Sequence, residues 1–276
     1  MSATSVGAAN RAELEQGLAT APAVLVTLAT TRGSTPREPG AWLALFADRL
    51  LGSIGGGQLE FQALASAREL LAAGPSHPLN RQTRRQALGP SLGQCCGGVV
   101  ELRFDFLPDV AALRDLGLAE PAAVPVAIFG AGHVGRALVQ ALGPLPFALR
   151  WIDSRDDIFP AGLSAAVATE HSDPVQRAVS GLAPGSRVLV MTHSHAEDLE
   201  LVAACLQRLR QRGDLAFIGL IGSASKWAGF RQRLRQRGLA EHEIDRVQCP
   251  VGLPGIVGKQ PAVIAASIAA QLLLMR

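Results

Sequence analysis

The sequence predicts an α/β protein, in which an N-terminal α+β domain is followed by a Rossmann-like domain built on a doubly wound parallel sheet. Three observations lead to this prediction. The chain has 276 residues, which is more than one hydrophobic core usually serves. The segment Pro108–Pro125 is rich in alanine and proline, as a linker is, and beyond it short apolar runs alternate with helical patterns. We therefore predict an N-terminal domain at 1–107, a linker at 108–124 and a C-terminal domain at 125–276.

The first half alternates between helical and extended patterns. Asn10–Thr20 predicts a short helix that starts with a capping box, and the apolar, β-branched run Val24–Ala29 predicts a strand. The prolines and glycines of Thr30–Gly40 predict a loop. The polar, proline-marked segment His77–Pro90 is assigned no helix or strand. The remaining predicted elements are a strand at Ala41–Phe46 that leads to Leu51–Ile54, a helix at Leu59–Ala73 and a closing strand at Val99–Phe106.

Gly55, Gly56 and Gly57 open the predicted second helix and leave several backbone N–H groups directed at one point. The helix dipole adds roughly half a positive charge there, which suits a phosphate or another anion. A tight turn between strand and helix, with no ligand, explains the same glycines. Arg32 and Arg37 favour the interpretation as an anion site, because one guanidinium group can donate two parallel hydrogen bonds to the oxygens of a phosphate.

Two adjacent cysteines, Cys95 and Cys96, follow Gln94 and precede Gly97 and Gly98. Neighbouring cysteines seldom pair with each other, because a disulfide needs its Cβ atoms about 3.8 Å apart at a restricted dihedral angle. Free thiols in a glycine-rich loop can bind a soft metal or exchange a sulfur atom. The alternative is a buried turn with two small apolar side chains.

The second half opens with the pattern of a nucleotide-binding fold. A buried strand at Val126–Phe129 leads directly into Gly130, Gly132 and Gly135, the glycines of a G-x-G-x-x-G motif, and a helix at Arg136–Leu142 follows. A strand, a tight glycine turn and a helix N-terminus are the context in which this motif is meaningful.

The acidic residue of that fold is Asp153, at the end of a predicted strand at Ala148–Ile152. An acid at this place can bind the ribose hydroxyls of a dinucleotide. Arg155 could equally bind a phosphate, so a nucleotide or NAD(P) in this cleft is left open. His133, inside the glycine turn, faces any bound phosphate or serves as a polar filler.

Further elements complete the doubly wound sheet, whose ligands gather at the carboxyl ends of the strands. They are strands at Ala165–Thr169, Arg187–Met191 and Leu215–Ile221, and helices at Ala196–Arg212, Trp227–Arg237 and Ala262–Met275. Ser223 and Lys226 open the Trp227–Arg237 helix and could bind an anion or simply cap the helix. His193 and His195 have zinc-like H-x-H spacing, but the metal ligands that should follow them are missing, which favours a polar loop.

Composition argues against several classes of function. The net charge is only +3 and tyrosine is absent, so neither a basic stripe nor stacking aromatics supports nucleic-acid binding. Residues 1–9 lack a basic segment followed by an apolar run, which argues against an export signal. The apolar segment Ala262–Leu274 is too short to span a bilayer. We expect a cytoplasmic protein with reduced cysteines and no membrane partner.

Small residues line one face of the last predicted helix. Ala265, Ala266, Ala269 and Ala270 recur at helical spacing, and such a face packs closely against its neighbour. The neighbour is either the sheet or a second copy of the chain, and we expect a homodimer.

Taken together, these motifs resemble the XdhC/CoxI family, the accessory proteins of xanthine dehydrogenase and related molybdenum hydroxylases. The resemblance covers nearly the whole chain in the right order, and Gln94–Gly98 is its most specific part. The matching residues are Gly33–Arg37 with Gly40, Gly52 with Gly55–Gly57 and Glu60, Leu88–Pro90 with Gln94–Gly98, Gly130–Val134, Asp153 with Arg155, Thr192 and His193 with Asp198, Gly219 with Gly222, Ser223 and Lys226, and Pro250 with Gly252 and Leu253.

The resemblance implies a protein that binds molybdenum cofactor, protects it, and assists a cysteine desulfurase in exchanging an equatorial oxo ligand for sulfide. It also implies delivery of the cofactor to apo xanthine dehydrogenase. The phosphate of molybdopterin suits the glycine turns and arginines, and thiolate-seeking molybdenum suits Cys95 or Cys96. On this interpretation the protein is a chaperone without turnover of its own. Gln260–Val263 and Gln271 depart from the family pattern, which often has acidic residues there.

Two other functions are left open at this point. An NAD(P)-dependent oxidoreductase would use the Rossmann half, but the chain offers no tyrosine as an acid and no histidine in a clear hydride-transfer motif. The other is a nucleotidyl transferase that acts on the cofactor.

Overall fold

The computed structural model describes residues 8–89, 97–116, 123–164 and 167–275. The chain divides into two units, Met1–Glu120 and Pro121–Arg276. In the described part of the chain, no helix is both long enough and apolar enough to cross a bilayer.

Five antiparallel strands form the sheet of the first unit. They are β1 at Ala23–Arg32, β2 at Trp42–Leu45, β3 at Leu50–Gly52, β4 at Gln82–Ala87 and β5 at Val99–Leu107. Their order is β3-β2-β1-β5-β4, so β1 and β5 are central and β4 is an edge strand. Apolar residues alternate along β1 and β5 and line one face of this sheet.

Helices pack on both faces of this antiparallel sheet. Helix α2, Gly57–Ala73, buries Leu59, Ala63, Ala67 and Leu70 against the apolar face. Two further helices, α1 at Ala8–Leu18 and α3 at Val110–Asp115, pack on the opposite face, where β1 begins and β5 ends. The other end of that face, where β1 ends and β5 begins, carries polar side chains.

Three local features differ from the sequence prediction. Strand β4 forms within His77–Pro90, which was assigned no element, because an edge strand exposed on both sides shows no apolar alternation. Strand β1 continues to Arg32, into the predicted loop, because its last residues pair with β5. Helix α3 lies inside the segment predicted to be a linker.

Six parallel strands form the sheet of the second unit. They are β6 at Val124–Phe129, β7 at Phe147–Asp153, β8 at Val167–His171, β9 at Ser186–Val190, β10 at Leu215–Leu220 and β11 at Val247–Gln248. Their order, β11-β10-β9-β6-β7-β8, is that of the Rossmann fold, with the change of direction between β6 and β9. The predicted α/β fold class is confirmed.

Helices pack on both faces of this sheet. One core cluster contains α4, His133–Leu142, and α8, Pro261–Leu274, and the other contains α5, His195–Arg212, and α6, Ala224–Gln236. A short helix, α7 at Glu241–Ile244, follows α6. Ala265 and Ala269 of α8 are buried in the cluster shared with α4, so half of the small-residue face packs within the chain.

Candidate cofactor-binding site

In the first unit, the segments predicted to bind the cofactor converge beside Gly98. A methyl group on Gly98 would overlap the carbonyl oxygens of Arg32 and Ser34. A methyl group on Gly55, whose φ is +120°, would lie 2.7 Å from the ring carbons of Pro36. Only glycine permits both approaches. The chain at the end of β1 and just after it therefore contacts both the glycine turn and Gly98, which follows Cys96 by two residues.

The two predicted arginines lie at the end of β1 and in the loop that follows it. Arg32 is the last residue of β1 and is exposed, whereas Arg37 is half-buried. The backbone at Arg37 is held by the Thr35 hydroxyl, whose Oγ1 donates to the Arg37 carbonyl at 3.0 Å. The Arg37 side chain also passes Gly55, so Arg37 and the glycine turn are neighbours.

Glu60 occupies the anion position at the start of α2. Its Oε2 accepts hydrogen bonds from Ser53 Oγ at 2.6 Å, Ile54 N at 3.0 Å and Gly56 N at 3.1 Å. The remaining turn donor, Gly55 N, bonds to Ser53 Oγ at 3.1 Å. A phosphate at Gly55–Gly57 would therefore compete with a carboxylate of the protein itself. An acidic residue in the first helical turn was the signal for this role, which the sequence prediction did not use.

The predicted metal ligands Cys95 and Cys96, together with Gln94, lie outside the described residues. The two cysteines that are described are free thiols with different surroundings. Cys205 is fully buried, and burial raises the pKa of its thiol to about 12. Burial also raises the pKa of Cys249, although nearby Lys226 partly opposes this. Neither environment produces the reactive thiolate that sulfur transfer or metal binding requires.

The glycine turn of the second unit has the geometry expected of a Rossmann fold. Gly132 is the N-cap of α4, and His133 begins the helix with an exposed side chain. A methyl group on Gly135 would overlap the carbonyl oxygen of Gly130, so this third glycine allows the helix to approach the turn. Trp151 Nε1 donates to the same Gly130 oxygen at 3.1 Å and holds the turn against β7. The helix N-terminus is thereby presented at the end of β6.

Asp153 is engaged by the protein rather than open to a ligand. Its side chain is only 1% exposed, and Oδ2 accepts from Ala131 N at 2.6 Å. Arg155 supplies three more bonds at 2.9 Å, from its backbone N–H, Nε and guanidinium NH2. Burial opposes ionisation, but these hydrogen bonds prevail and lower the pKa of Asp153 to about 2. Four bonds match the capacity of a carboxylate, so binding of ribose hydroxyls by Asp153 requires Arg155 to move first.

Lys226 is likewise paired inside the protein. Its Nζ lies 2.6 Å from Asp198 Oδ2 and donates to the Ile221 carbonyl at 2.9 Å. Asp198 also accepts from Thr192, through the backbone N–H at 2.9 Å and the hydroxyl at 2.8 Å. Ser223 is the N-cap of α6 and accepts from Lys226 N. The anion-binding role predicted for Ser223 and Lys226 is not tested by this arrangement, but the ammonium is already neutralised.

The H-x-H segment links the ends of two strands. Ser154 Oγ donates to Glu197 Oε1 at 2.6 Å, and the other oxygen of Glu197 lies 3.8 Å from His193 Nδ1. Within the ranges that the structure describes, no group of three histidine, cysteine or acidic side chains is placed to hold a metal ion. His193 lies between β9 and α5, and His195 is the first residue of α5.

Models of known protein families match a segment of each unit. The family model of the XdhC Rossmann domain matches residues 126–272, which is more than half of the chain. The model of the XdhC and CoxI family matches residues 18–82.

Two individual proteins are also similar. A crystal structure described as a xanthine dehydrogenase from Bacillus halodurans superposes with a TM-score of 0.72, covering 95% of this chain and 94% of that one, at 20% sequence identity. This similarity supports the fold. The uncharacterized protein YqeB of Escherichia coli K12 is 27% identical over 258 residues, which are 92% of this chain. The chain spans only 44% of the length of that relative. From the match over residues 126–272, the chain belongs to the XdhC family, whose Rossmann domain forms its second unit.

Proposed function

We propose that this protein binds molybdenum cofactor, protects it while a cysteine desulfurase exchanges an equatorial oxo ligand for sulfide, and delivers it to apo xanthine dehydrogenase. Family membership supports a role in xanthine dehydrogenase maturation. The observation that carries the proposal is the convergence at Gly98, which contacts the backbone of Arg32 and Ser34 and follows Cys96 by two residues.

The residues present suit this cargo. The cofactor brings a molybdenum centre that accepts thiolate ligands and a phosphate that accepts guanidinium donors. In the proposed arrangement, Cys95 and Cys96 bind the metal, with Gln94 beside them, while Arg32 and Arg37 bind the anionic end. Gly98 and Gly55 bring the segments that carry these residues together, because a side chain at either glycine would overlap the backbone of Arg32 and Ser34 or the ring of Pro36.

The second unit contributes a nucleotide-type site in this proposal. Its members are the turn residues Gly130, Gly132, His133 and Gly135, the pair Asp153 and Arg155, and Ser223 with Lys226. The N-terminus of α4 favours an anion. With Asp153 saturated, the exposed face of Arg155 is the part of the pair that is accessible to a phosphate.

The proposal is tested by measuring pterin retained after purification in the presence of a cofactor source. We expect wild-type protein to retain the cofactor and the Cys95→Ala/Cys96→Ala double variant to lose it. Cys249→Ala is the matched control, because the Cys249 thiol is half-buried and its pKa is raised by burial. Equal retention by the double variant would refute the thiol role, and no retention by wild-type protein would refute cofactor binding.

The proposed partners are tested separately. Wild-type protein loaded with cofactor should activate apo xanthine dehydrogenase, and should yield sulfurated cofactor only when a cysteine desulfurase is present. The proposed homodimer is tested by sedimentation. Activation of the apoenzyme by free cofactor at the same rate would contradict a delivery role.

A further inference from the structure

A cleft of about 150 Å³ lies on the open face of the first sheet, at the start of β5. Five residues line it: Thr30, Arg32, Arg85, Val99 and Glu101. They come from three adjacent strands, β1, β5 and β4, because Glu101 pairs with both Thr30 and Arg85, and Val99 pairs with Arg32. Side chains at paired positions stand on the same face of a sheet.

A β-bulge directs the first arginine into this cleft. Between Leu28 and Thr30 the pairing of β1 with β5 shifts by one residue, so Thr30 is opposite Glu101 and Arg32 is opposite Val99. Without the shift, Arg32 would be on the face covered by α2, because a change of one residue reverses every side chain. Bulges that redirect side chains in this way are common next to functional sites.

The second arginine comes from the edge strand β4, where alternate residues face opposite ways. Arg84 and Gln86 face α2 and bond to Ser66 and Gln62. Arg85 between them therefore faces the cleft. The polar pattern of this segment predicts neither a helix nor a strand and does not distinguish Arg85 from its neighbours.

The charges in the cleft are arranged for an anion. Across the described ranges, no hydrogen bond or ion pair within the protein involves the guanidinium of Arg32 or of Arg85. Glu101 does not neutralise them directly, since its Oε2 accepts from Thr30 Oγ1 at 2.9 Å. Two guanidinium groups and one carboxylate leave a net charge of +1. Two arginines that line one cleft can both donate hydrogen bonds to the oxygens of a phosphate group.

The size and place of the cleft suit one end of a larger molecule. Its volume of about 150 Å³ is well below the roughly 300–1,000 Å³ of pockets that enclose a whole drug-sized ligand. Val99 follows Cys96 by three residues, a distance that a peptide chain spans in at most about 11 Å. Molybdopterin carries its phosphate a few bonds from the sulfurs that bind molybdenum.

We infer that Arg32 and Arg85 together bind the phosphate monoester of the cofactor, and that Glu101, held by Thr30, accepts a hydrogen bond from an N–H or O–H donor of the same ligand. This inference rests on the proposed function and adds a residue, Arg85, and a location to it. The cleft positions the anionic end of the cofactor while the cysteine-containing loop meets its metal.

The test measures binding of cofactor freshly released from a molybdenum enzyme, by fluorescence of the oxidised pterin retained by the full-length protein. We expect Arg85→Gln and Arg32→Gln each to weaken binding by about tenfold to a hundredfold, because each removes charge-assisted hydrogen bonds. Arg84→Gln is the matched control, since Arg84 is the neighbouring arginine on the opposite face and should bind as wild type does. Circular dichroism checks that each variant is folded.

A competition experiment tests the phosphate directly. Inorganic phosphate, compared with chloride at equal ionic strength, should weaken cofactor binding by wild-type protein and have no effect on the Arg32→Gln/Arg85→Gln double variant. Wild-type binding by Arg85→Gln, or no competition by phosphate, overturns the inference while the proposed function stands. Failure of wild-type protein to bind the cofactor overturns both.

Discussion

The substitution Asp153→Asn tests whether a buried carboxylate holds the glycine turn of the second unit in place. Asp153 accepts hydrogen bonds from Ala131 N and from three nitrogen atoms of Arg155. Asparagine keeps the size of the side chain but replaces one acceptor oxygen with an NH2 donor. A donor must then face either the N–H of Ala131 or the guanidinium of Arg155, and the charge of the ion pair is lost.

The magnitude follows from the environment of the carboxylate. Burial disfavours the charged form, but the hydrogen bonds from Arg155 and Ala131 N lower the pKa of Asp153 from 3.8 to about 2. This difference corresponds to about 2 kcal/mol of stability at neutral pH. Arg155 is 37% exposed, so water can solvate its guanidinium in the variant, and the larger penalty for an unpaired buried charge does not apply. We expect a loss of about 2 kcal/mol and a fall in Tm of about 4–8 °C.

The assay is scanning calorimetry of the full-length protein at a series of pH values. A folded-state pKa below the unfolded value stabilises the protein above the unfolded pKa, and this contribution is lost as the pH falls through the folded pKa. The difference in unfolding free energy between wild type and variant should therefore have its full value at pH 7. It should disappear as the pH falls from about 4 to about 2. Asp156→Asn is the control, because Asp156 is 84% exposed and should change stability by less than about 0.5 kcal/mol. A difference below about 0.5 kcal/mol at pH 7, or one that persists at pH 2, would refute the reasoning.

Three further predictions concern other groups. Glu60→Gln should lower the free energy of unfolding, measured in urea, by about 1–2 kcal/mol, because it weakens the charge-assisted hydrogen bonds from Ser53, Ile54 N and Gly56 N. Glu69 is exposed on the same helix, so Glu69→Gln should leave the free energy of unfolding unchanged. Lys226→Met should lower the free energy of unfolding by about 3–5 kcal/mol, since it leaves the buried Asp198 carboxylate without its ion-pair partner. Adding Asp198→Asn should recover part of this loss, and no recovery would contradict the ion-pair explanation. Cys205 should resist iodoacetamide at pH 8 until urea unfolds the protein, because its thiol is fully buried with a pKa raised to about 12; peptide mass spectrometry would show labelling in native protein if this is wrong.

The site illustrates which interactions local pattern can predict. The glycine turns were found from spacing alone, because a turn that opens a helix needs residues a few positions apart. Glu60 was equally local but was not assigned its role, since the same turn was interpreted as open to a ligand. The pair of Asp198 and Lys226 joins residues 28 positions apart and forms only when α5 and α6 pack on one face of the sheet. No window of sequence contains both.

The sequence by itself determined the fold class, the Rossmann turn and the segments that converge on the first site, because apolar periodicity and glycine spacing are written into short stretches of chain. Tertiary structure alone decided which charged groups are available to a ligand. Asp153 and Lys226 look like ligand contacts in sequence, yet each is held by partners within the protein. Glu60 accepts hydrogen bonds at the glycine turn where the sequence predicts an anion. Arg85 looks like one polar residue among many, yet it faces Arg32 across one cleft. The reason is physical: a strand register and a single bulge fix which face a side chain occupies, and both depend on pairing between residues far apart in the chain.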